Sequence, residues 1–282
     1  MTTIRLGLIG DSIARSQSPR LHRLAGRLCG RHVSYERLVP LDLGLGFDAV
    51  FDRCVDAGYR GINVTYPYKE EVVRRLDVRD EGAARLGACN TVIFETPRPL
   101  GYNTDRSGFI AAWRGRFGGD APGRVAMAGA GGVGKAIGFA LDTLGASSLV
   151  LFDPDRAKAE ALAASLRGSG AGMQVEIAGS IKAASEDADG LINCTPLGMA
   201  GKPGTAFPAR LMGGARWAFD AVYTPVDTEF LDDARAARLE TLSGYELFFH
   251  QGVDAFRLFT GLEVDAAALR KALAEPELEP AR

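Results

Sequence analysis

The sequence predicts an α/β protein of two domains, each built around a mostly parallel β-sheet. Short apolar runs alternate with longer amphipathic segments along the 282 residues, which is the pattern of strands joined by crossover helices. A glycine-rich loop directly follows the apolar run Arg124–Ala128, so a second series of strands and helices begins near the middle of the chain. At about 150 residues per domain, the length also suggests roughly two domains.

The individual elements follow from this pattern in chain order. Strands are expected at Ile4–Ile9, Val33–Val39, Gly61–Val64, Thr91–Phe94, Arg124–Ala128, Ser148–Phe152, Gln174–Ile177, Gly190–Asn193, Trp217–Asp220 and Glu240–Leu242. Helical patterns lie at Pro19–Cys29, Ser107–Arg116, Asp155–Arg167, Phe230–Arg238, Tyr245–Leu258 and Val264–Leu273. The segment Gly118–Gly123 has the composition of a linker, so we expect a domain boundary near residues 103–123.

Charge and cysteine content argue against several classes of function. Lys plus Arg number 33 and Asp plus Glu 35, a formal net charge of −2, so binding to nucleic acid or to an anionic membrane is not expected. The four cysteines form no CxxC motif and the three histidines no metal-ligand spacing, so we expect neither a disulfide scaffold nor a metal site. Neither a signal-peptide pattern nor an apolar run of about 18 residues occurs. We expect a soluble cytoplasmic protein that acts on small molecules.

The glycine-rich loop carries the clearest motif. Gly129, Gly131 and Gly134 fit the G-x-G-x-x-G pattern of dinucleotide-binding (Rossmann) domains. In that pattern the glycines allow a tight turn, close approach of the backbone to a pyrophosphate, and close packing of helix on strand. The helix then directs its N-terminal N–H groups at the phosphates. The next strand is followed by Asp153, 19 residues after Gly134, where a carboxylate accepts hydrogen bonds from the adenosine ribose.

Two alternatives for this loop remain open. Gly129-x-x-x-x-Gly134-Lys135 also begins a P-loop, but Ala136 stands where a P-loop needs a hydroxyl for magnesium. The glycines could also serve only a tight turn.

The residues after the second Rossmann strand bear on the choice of cofactor. A carboxylate at Asp153 repels a 2′-phosphate by on the order of 4 kcal/mol at about 4 Å and an effective dielectric constant of about 20. Asp155 adds negative charge, whereas Arg156 and Lys158 could soften the repulsion. We therefore expect NAD to be preferred, with NADP as the alternative.

Ser16-Gln17-Ser18-Pro19 precedes the first predicted helix. Capping explains two of these residues, because Ser18 suits the N-cap position and Pro19 the first helical position. Capping does not explain Ser16, and hydroxyls beside a helix start could instead hold a substrate carboxylate.

The segment 63–69 ends the third strand and is expected to open a short helix. Asn63 and Thr65 alternate at the C-terminal end of that strand, where α/β proteins bind ligands. A cation in the first turn of a helix opposes the helix dipole, and the same field favours the neutral amine needed for proton transfer. Lys69 is therefore a candidate proton-transfer group, and a solvated lysine paired with a neighbouring glutamate is the plainer alternative.

Seven motifs, taken together and in order, resemble the shikimate dehydrogenase family over nearly the whole chain. They are Ser16-x-Ser18-Pro19, Asn63-Val64-Thr65-x-Pro67-x-Lys69, Gly87-Ala88-x-Asn90-Thr91, Asn103-Thr104-Asp105-x-x-Gly108, Gly129-x-Gly131-Gly132, Asn193-x-Thr195-Pro196-x-Gly198-Met199 and His250-Gln251-x-x-x-Ala255-Phe256. Seven ordered matches are more specific than any one of them. The resemblance favours functional roles for Lys69, Asp105 and Gln251 over surface or capping roles.

The resemblance implies reversible hydride transfer between C3 of shikimate and a nicotinamide cofactor, with Lys69 and Asp105 as the catalytic pair. Lys69 would take the hydroxyl proton on oxidation, and Asp105 would orient the pair and stabilise the ammonium form. The substrate-binding residues implied are Ser16, Ser18, Asn63, Thr65, Asn90, Tyr223 and Gln251. The cofactor-binding residues implied are Gly129, Ala130, Gly131, Gly132, Val133, Asp153, Arg156, Thr195, Pro196, Met199 and Gly244.

The architecture implied is an N-terminal α/β substrate domain with a mixed, mostly parallel sheet, followed by a Rossmann domain, with the site in the cleft between them. We expect residues 1–105 and 245–282 in the substrate domain and residues 106–244 in the Rossmann domain. The chain would act as a monomer or a homodimer.

Departures from the family pattern refine the expected activity. Asp153-Pro154-Asp155 stands where NADP-using members carry a basic stretch, which resembles the NAD-dependent quinate/shikimate branch. Ser18 is expected of shikimate-selective members, because quinate-active members of that branch have Thr there. Gly244-Tyr245-Glu246-Leu247 replaces the usual Gly-x-x-Met. We expect an NAD-preferring shikimate 3-dehydrogenase; the alternatives are a quinate, quinate/shikimate or aminoshikimate dehydrogenase and, from another class, a non-catalytic ligand sensor.

Overall fold

The computed structural model describes residues 3–168, 170 and 172–276. Its strands are β1 (Ile4–Ile9), β2 (Val33–Leu38), β3 (Gly61–Val64), β4 (Thr91–Ile93), β5 (Leu100–Tyr102), β6 (Arg124–Ala128), β7 (Ser148–Phe152), β8 (Gln174–Ile177), β9 (Gly190–Asn193), β10 (Trp217–Asp220) and β11 (Glu240–Ser243). Its α-helices are α1 (Ser18–Leu28), α2 (Phe47–Asp56), α3 (Glu81–Leu86), α4 (Thr104–Phe117), α5 (Gly132–Thr143), α6 (Arg156–Arg167), α7 (Ile181–Ser185), α8 (Glu229–Ala236), α9 (Gly244–Thr260) and α10 (Ala266–Ala274). Short 3₁₀ helices lie at Glu71–Arg75 and Ala209–Leu211.

The chain divides into two compact units. The first holds the described residues up to Thr104 and from Gly252 onward, and the second spans Asp105–Gln251. The divisions fall at the start of α4 and within α9, and the segment Gly118–Gly123 joins α4 to β6 inside the second unit.

The first unit contains a five-stranded sheet in the order β2-β1-β3-β4-β5. β1 pairs in parallel with β2 and β3, whereas β3–β4 and β4–β5 are antiparallel. Strand β5 was not predicted, because its three residues follow a loop rich in proline and carry only one large apolar side chain, Leu100. One face of the sheet packs on α2, where Val50 and Phe51 lie against Ile62 and Val92 in the core.

The second unit contains a six-stranded sheet in the order β11-β10-β9-β6-β7-β8. All of its pairings are parallel, so the carboxyl ends of its strands meet at one edge. The predicted α/β fold with two sheets and predominantly parallel pairing is confirmed, since seven of the nine strand pairings in the described part of the chain are parallel.

The described residues also bear on membrane and metal binding. Across ranges 3–168, 170 and 172–276, no helix has the length and apolar content needed to cross a membrane. Within the same ranges, no three His, Cys, Asp or Glu side chains are grouped so that they could hold a metal ion.

Candidate active site

The glycine loop connects β6 to α5 at the carboxyl edge of the second sheet. Gly129 has φ +98°, and a Cβ there would lie 2.8 Å from the backbone carbonyl of Cys194. A Cβ on Gly134 would lie 2.2 Å from the carbonyl oxygen of Gly129. A Cβ on Gly131 would meet nothing within 4 Å, so packing within the chain does not require glycine at that position. Open space at Gly131, beside the start of α5, fits the close approach of a dinucleotide pyrophosphate.

Asp153 lies just past the end of β7 and contacts the glycine loop directly. Its Oδ2 accepts a hydrogen bond from the backbone N–H of Ala130 at 2.8 Å, and its Oδ1 accepts one from Asp155 N at 2.8 Å. Each carboxylate oxygen has two lone pairs, so acceptor capacity remains for ribose hydroxyls. The carboxylate therefore supports the loop and keeps acceptor capacity of the kind that ribose hydroxyls need.

The two cations that follow Asp153 already have acidic partners. Arg156 Nε lies 2.8 Å from Glu160 Oε1, and Lys158 Nζ lies 3.5 Å from Asp155 Oδ2. Both pairs are solvent-exposed and therefore weak. They nevertheless reduce the positive charge that these side chains present to a 2′-phosphate.

In the first unit, Ser16 and Ser18 lie together at the start of α1. The helix begins at Ser18 and its N-cap residue is Gln17, so the prediction that Ser18 is the N-cap is wrong. Ser18 is instead the first residue of the helix, and Ser16 Oγ accepts from Ser18 N at 3.3 Å and lies 3.2 Å from Ser18 Oγ. Both serines are buried.

Arg37, which the sequence analysis did not single out, lies beside these serines. Its Nη2 donates to the backbone carbonyl of Ser16 at 2.8 Å. A guanidinium bonded to the segment that carries these two hydroxyls is chemically suited to a carboxylate ligand. No local motif marks this arginine, because only the parallel pairing of β1 with β2 brings it to the loop that follows β1.

Lys69 lies in a turn rather than in a helix. Tyr68 N donates to the carbonyl of Thr65 at 2.9 Å, and the following 3₁₀ helix begins only at Glu71. The prediction that Lys69 occupies the first turn of a helix is therefore wrong, and the dipole argument does not apply. The turn is held in place because Cys89 N donates to Lys69 O at 2.8 Å and Tyr68 Oη donates to Asp11 Oδ1 at 2.8 Å.

A buried hydrogen-bond network joins Asn63, Asn90 and Thr104. Asn63 Nδ2 donates to Asn90 O at 3.1 Å and to Thr91 Oγ1 at 3.0 Å, and its Oδ1 accepts from Tyr35 Oη at 2.8 Å. Asn90 Oδ1 accepts from Thr104 N at 2.8 Å, and Asn90 Nδ2 donates to Thr104 Oγ1 at 3.1 Å. Both amide hydrogens of Asn63 are thus engaged within the chain. One amide hydrogen of Asn90 has no partner among the described residues.

His22, on α1, faces the same network. It is 1% exposed and its ring stacks on that of Tyr35 at 4.9 Å. Burial lowers the pKa of His22 to about 3, and a hydrogen bond to Asn63 opposes that shift. The imidazole is therefore neutral at physiological pH and belongs to the rigid support of Asn63.

In the second unit, Asp105, Gln251 and Tyr223 lie on neighbouring elements. A Cβ on Gly108 of α4 would lie 2.7 Å from Gln251 N of α9, so glycine is needed where these helices meet. Asp105 lies three residues before Gly108, on the same side of α4, and is 6% exposed. Gln251 Nε2 donates to Phe248 O at 3.1 Å, and the Phe248 ring stacks on Tyr223 at 4.9 Å.

The turn at Thr195–Met199 follows β9, at the same edge of the sheet as the glycine loop. Asn193 Oδ1 accepts from both the N and the Oγ1 of Thr195, at 2.9 and 2.7 Å. Gly244 begins α9, where a Cβ would lie 2.6 Å from Val222 O. Backbone packing thus accounts for the glycine at this position.

Comparisons with known proteins agree with the seven-motif resemblance. Residues 8–92 match the family model for the shikimate dehydrogenase substrate binding domain, and residues 244–274 match that for the shikimate 5′-dehydrogenase C-terminal domain. The chain is 40% identical over 275 residues to a quinate/shikimate dehydrogenase (NAD(+)) of Corynebacterium efficiens, covering 95% of this chain and 96% of that protein.

Two further relatives support the same assignment. Identity is 38% over 270 residues to a shikimate dehydrogenase (NADP(+)) of Pseudarthrobacter chlorophenolicus, covering 94% of this chain and 92% of that protein. The solved structure of quinate dehydrogenase from Corynebacterium glutamicum in complex with NAD matches with a TM-score of 0.87 and 39% identity, covering 96% of this chain and 98% of that one. The resemblance predicted from the motifs is confirmed, and the chain belongs to the shikimate dehydrogenase family.

Proposed function

We propose that this protein is an NAD-preferring shikimate 3-dehydrogenase that interconverts shikimate and 3-dehydroshikimate. The observation that carries the proposal is the carboxylate of Asp153, which contacts Ala130 of the glycine loop at 2.8 Å. It marks the ribose end of a dinucleotide site in a chain whose relatives bear the names of shikimate and quinate dehydrogenases.

The cofactor residues have separate tasks in this proposal. Open space at Gly131 and the N–H groups at the start of α5 receive the pyrophosphate. Asp153 accepts the adenosine ribose hydroxyls and repels a 2′-phosphate, which favours NAD over NADP. The remaining residues that we assign to the cofactor are Gly129, Ala130, Gly132, Val133, Arg156, Thr195, Pro196, Met199 and Gly244.

We assign the proton transfer to Lys69 and the orienting charge to Asp105. A nicotinamide cofactor bound beside the substrate would supply the hydride acceptor for C3 on oxidation and the hydride donor on reduction. The Lys69 side chain takes the proton of the C3 hydroxyl as the carbonyl forms and gives it back in the reverse direction. The carboxylate of Asp105 is assigned to accept a hydrogen bond from the reacting groups and to orient them.

The substrate carboxylate and ring hydroxyls call for different partners. Ser16 and Ser18 offer hydroxyls to the carboxylate, and Arg37 adds positive charge beside them. Thr65, Asn90, Tyr223 and Gln251 are assigned to the ring hydroxyls. Asn63, whose amide hydrogens are engaged by Asn90 and Thr91, contributes by holding Asn90 in place.

Quinate is the second candidate substrate because two of the relatives carry quinate in their names. The residue at position 18 is Ser, without the methyl group that Thr would add, and this favours shikimate. The chain's location in the cytoplasm and its state as a monomer or homodimer belong to the same proposal.

Substitution of the proposed proton-transfer group tests this function. Lys69→Ala should lower kcat for shikimate oxidation by about 10²- to 10⁴-fold, the usual contribution of general acid–base catalysis. The variant should still bind NAD, as measured by the change in protein fluorescence during a titration with NAD. Near-normal turnover by this variant, with the fold intact, would show that the proton leaves by another route.

A further inference from the structure

A buried carboxylate at the end of β10 has no role in the chemistry assigned so far. Asp220 is 0% exposed, and its partners in the described part of the chain are neutral. Its Oδ1 accepts from Asn193 Nδ2 and from Val222 N, each at 2.9 Å, and its Oδ2 accepts from Thr228 Oγ1 at 2.6 Å. Burial raises the pKa of Asp220 to about 6 even though these three hydrogen bonds oppose the shift. Stability alone does not favour such a group over an apolar one.

One partner of Asp220 organises the turn after β9. Asn193 is also 0% exposed. Besides its bond to Asp220, its Nδ2 donates to Leu197 O at 3.1 Å, and its Oδ1 accepts from the N and Oγ1 of Thr195 at 2.9 and 2.7 Å. The carboxylate therefore fixes the rotamer of the amide around which Thr195–Leu197 folds.

The other partners of Asp220 organise the segment after β10. Val222 N is held by Oδ1, and Thr228, the N-cap residue of α8, is held by Oδ2. Tyr223 lies between them and stacks on Phe248 at 4.9 Å. A backbone bond from Ala200 N to Thr224 O, 3.2 Å long, joins this segment to the turn after β9.

We infer that Asp220 is a positioning residue that fixes the Thr195–Met199 turn and the Val222–Thr228 segment relative to each other. It thereby sets the positions of the residues assigned to the nicotinamide and of Tyr223. The inference rests on the proposed function for the meaning of those residues. A carboxylate suits this place because it only accepts hydrogen bonds and three donors converge on it. An amide would direct an N–H group at one of them.

Hydrogen exchange tests the inference without relying on activity. In Asp220→Asn, the backbone amides of residues 195, 197–200, 222–224 and 226–227 should exchange about tenfold faster, as expected for the loss of a charge-assisted hydrogen bond. Amides of residues 129–134 in the glycine loop should be unchanged. Thr228→Val, which removes one donor, should reproduce the faster exchange, and Thr228→Ser, which keeps the hydroxyl, should restore the slower rate.

Kinetics separate positioning from a general structural role. Asp220→Asn should lower kcat by about 10²-fold, since displacement by about 1 Å can have that effect. The inhibition constant of ADP-ribose, which lacks nicotinamide, should change by less than about twofold because its contacts are at the glycine loop and Asp153.

Asp189→Asn is the matched control. Asp189 lies at the other end of the same strands, where it accepts from Arg124 N at 2.8 Å and pairs with Arg216. The Asp189→Asn variant should have a lower Tm, with no change in kcat or in amide hydrogen exchange at residues 195–200. Unchanged exchange in Asp220→Asn, or a fall in Tm with unchanged kcat, would overturn the inference. If the wild type oxidises neither shikimate nor quinate, the proposed function fails, whereas the exchange result still decides the role of Asp220.

Discussion

Removing the charge of Asp153 should weaken the preference for NAD. The carboxylate holds Ala130 N and Asp155 N at 2.8 Å each. Asp153→Asn keeps one acceptor oxygen, so the loop retains part of its support, while the negative charge that opposes a 2′-phosphate is gone.

The magnitude follows from the two contributions. Two charges about 4 Å apart repel by on the order of 4 kcal/mol at an effective dielectric constant of about 20, which sets an upper limit of about a thousandfold in the cofactor ratio. Asp153 is only half-buried, so solvent screens part of this energy and we expect about a hundredfold. The weakened bond to Ala130 N should also lower kcat/KM for NAD by about tenfold.

The assay is kcat/KM for NAD and for NADP with shikimate held saturating. Asp155→Asn is the matched control, because it removes a carboxylate two residues away that is exposed to solvent. The Asp155 carboxylate lies 3.5 Å from Lys158 Nζ. Asp155→Asn should change the ratio by less than about threefold, as expected for an exposed ion pair. Equal changes in the two variants, or an unchanged ratio in Asp153→Asn, would refute the assignment of Asp153 to the ribose.

Three further predictions concern the fold and the loop. His22→Phe should flatten the acid side of the stability profile: the folded-state pKa of about 3 lies below the ordinary 6.5, so the folded state binds fewer protons in that window. The contribution of His22 to the free energy of unfolding is therefore complete above pH 6.5, and it falls by up to about 1.4 kcal/mol per pH unit on acidification. Urea unfolding between pH 7 and pH 4 measures this dependence. An equal pH dependence of the free energy of unfolding in wild type and His22→Phe would contradict the prediction. Gly131→Ala should leave Tm unchanged, because its Cβ would meet nothing within 4 Å, but should raise KM for NAD by about tenfold or more if a pyrophosphate occupies that space. Gly134→Ala should lower the free energy of unfolding by about 1–3 kcal/mol, because its Cβ would lie 2.2 Å from Gly129 O; a normal Tm would contradict that clash.

Strands with a clear apolar pattern could be predicted from the sequence, whereas a strand held in place by its neighbour could not. All ten predicted strands begin at the residue where the structure begins them, because most of them are short runs rich in apolar side chains and bounded by polar or glycine residues. Strand β5 was missed because Leu100–Tyr102 is held by pairing with β4 rather than by its own pattern.

The local errors at Ser18 and Lys69 have the same origin. Both predictions used only the local sequence, which placed Ser18 at the N-cap and Lys69 in the first turn of a helix. The structure instead uses the hydroxyl of Ser16 at the start of α1 and a turn stabilised by Cys89 and Asp11 around Lys69. Contacts between residues distant in sequence decided the second case.

Sequence motifs could not identify residues whose contacts depend on the tertiary structure. Arg37 reaches Ser16 only because β2 lies beside β1. Asp220 meets Asn193 only because β10 pairs with β9, which places the two residues opposite each other. The sequence predicted the ends of β9 and β10 correctly, but it did not indicate that these two strands pair.

The most direct test of the central claim is a two-by-two set of steady-state kinetics, with shikimate and quinate as substrates and NAD and NADP as cofactors. The proposed function predicts the highest kcat/KM for shikimate with NAD. Similar values for shikimate and quinate would reject selectivity, and a clear preference for NADP, or no oxidation of either substrate, would contradict the account.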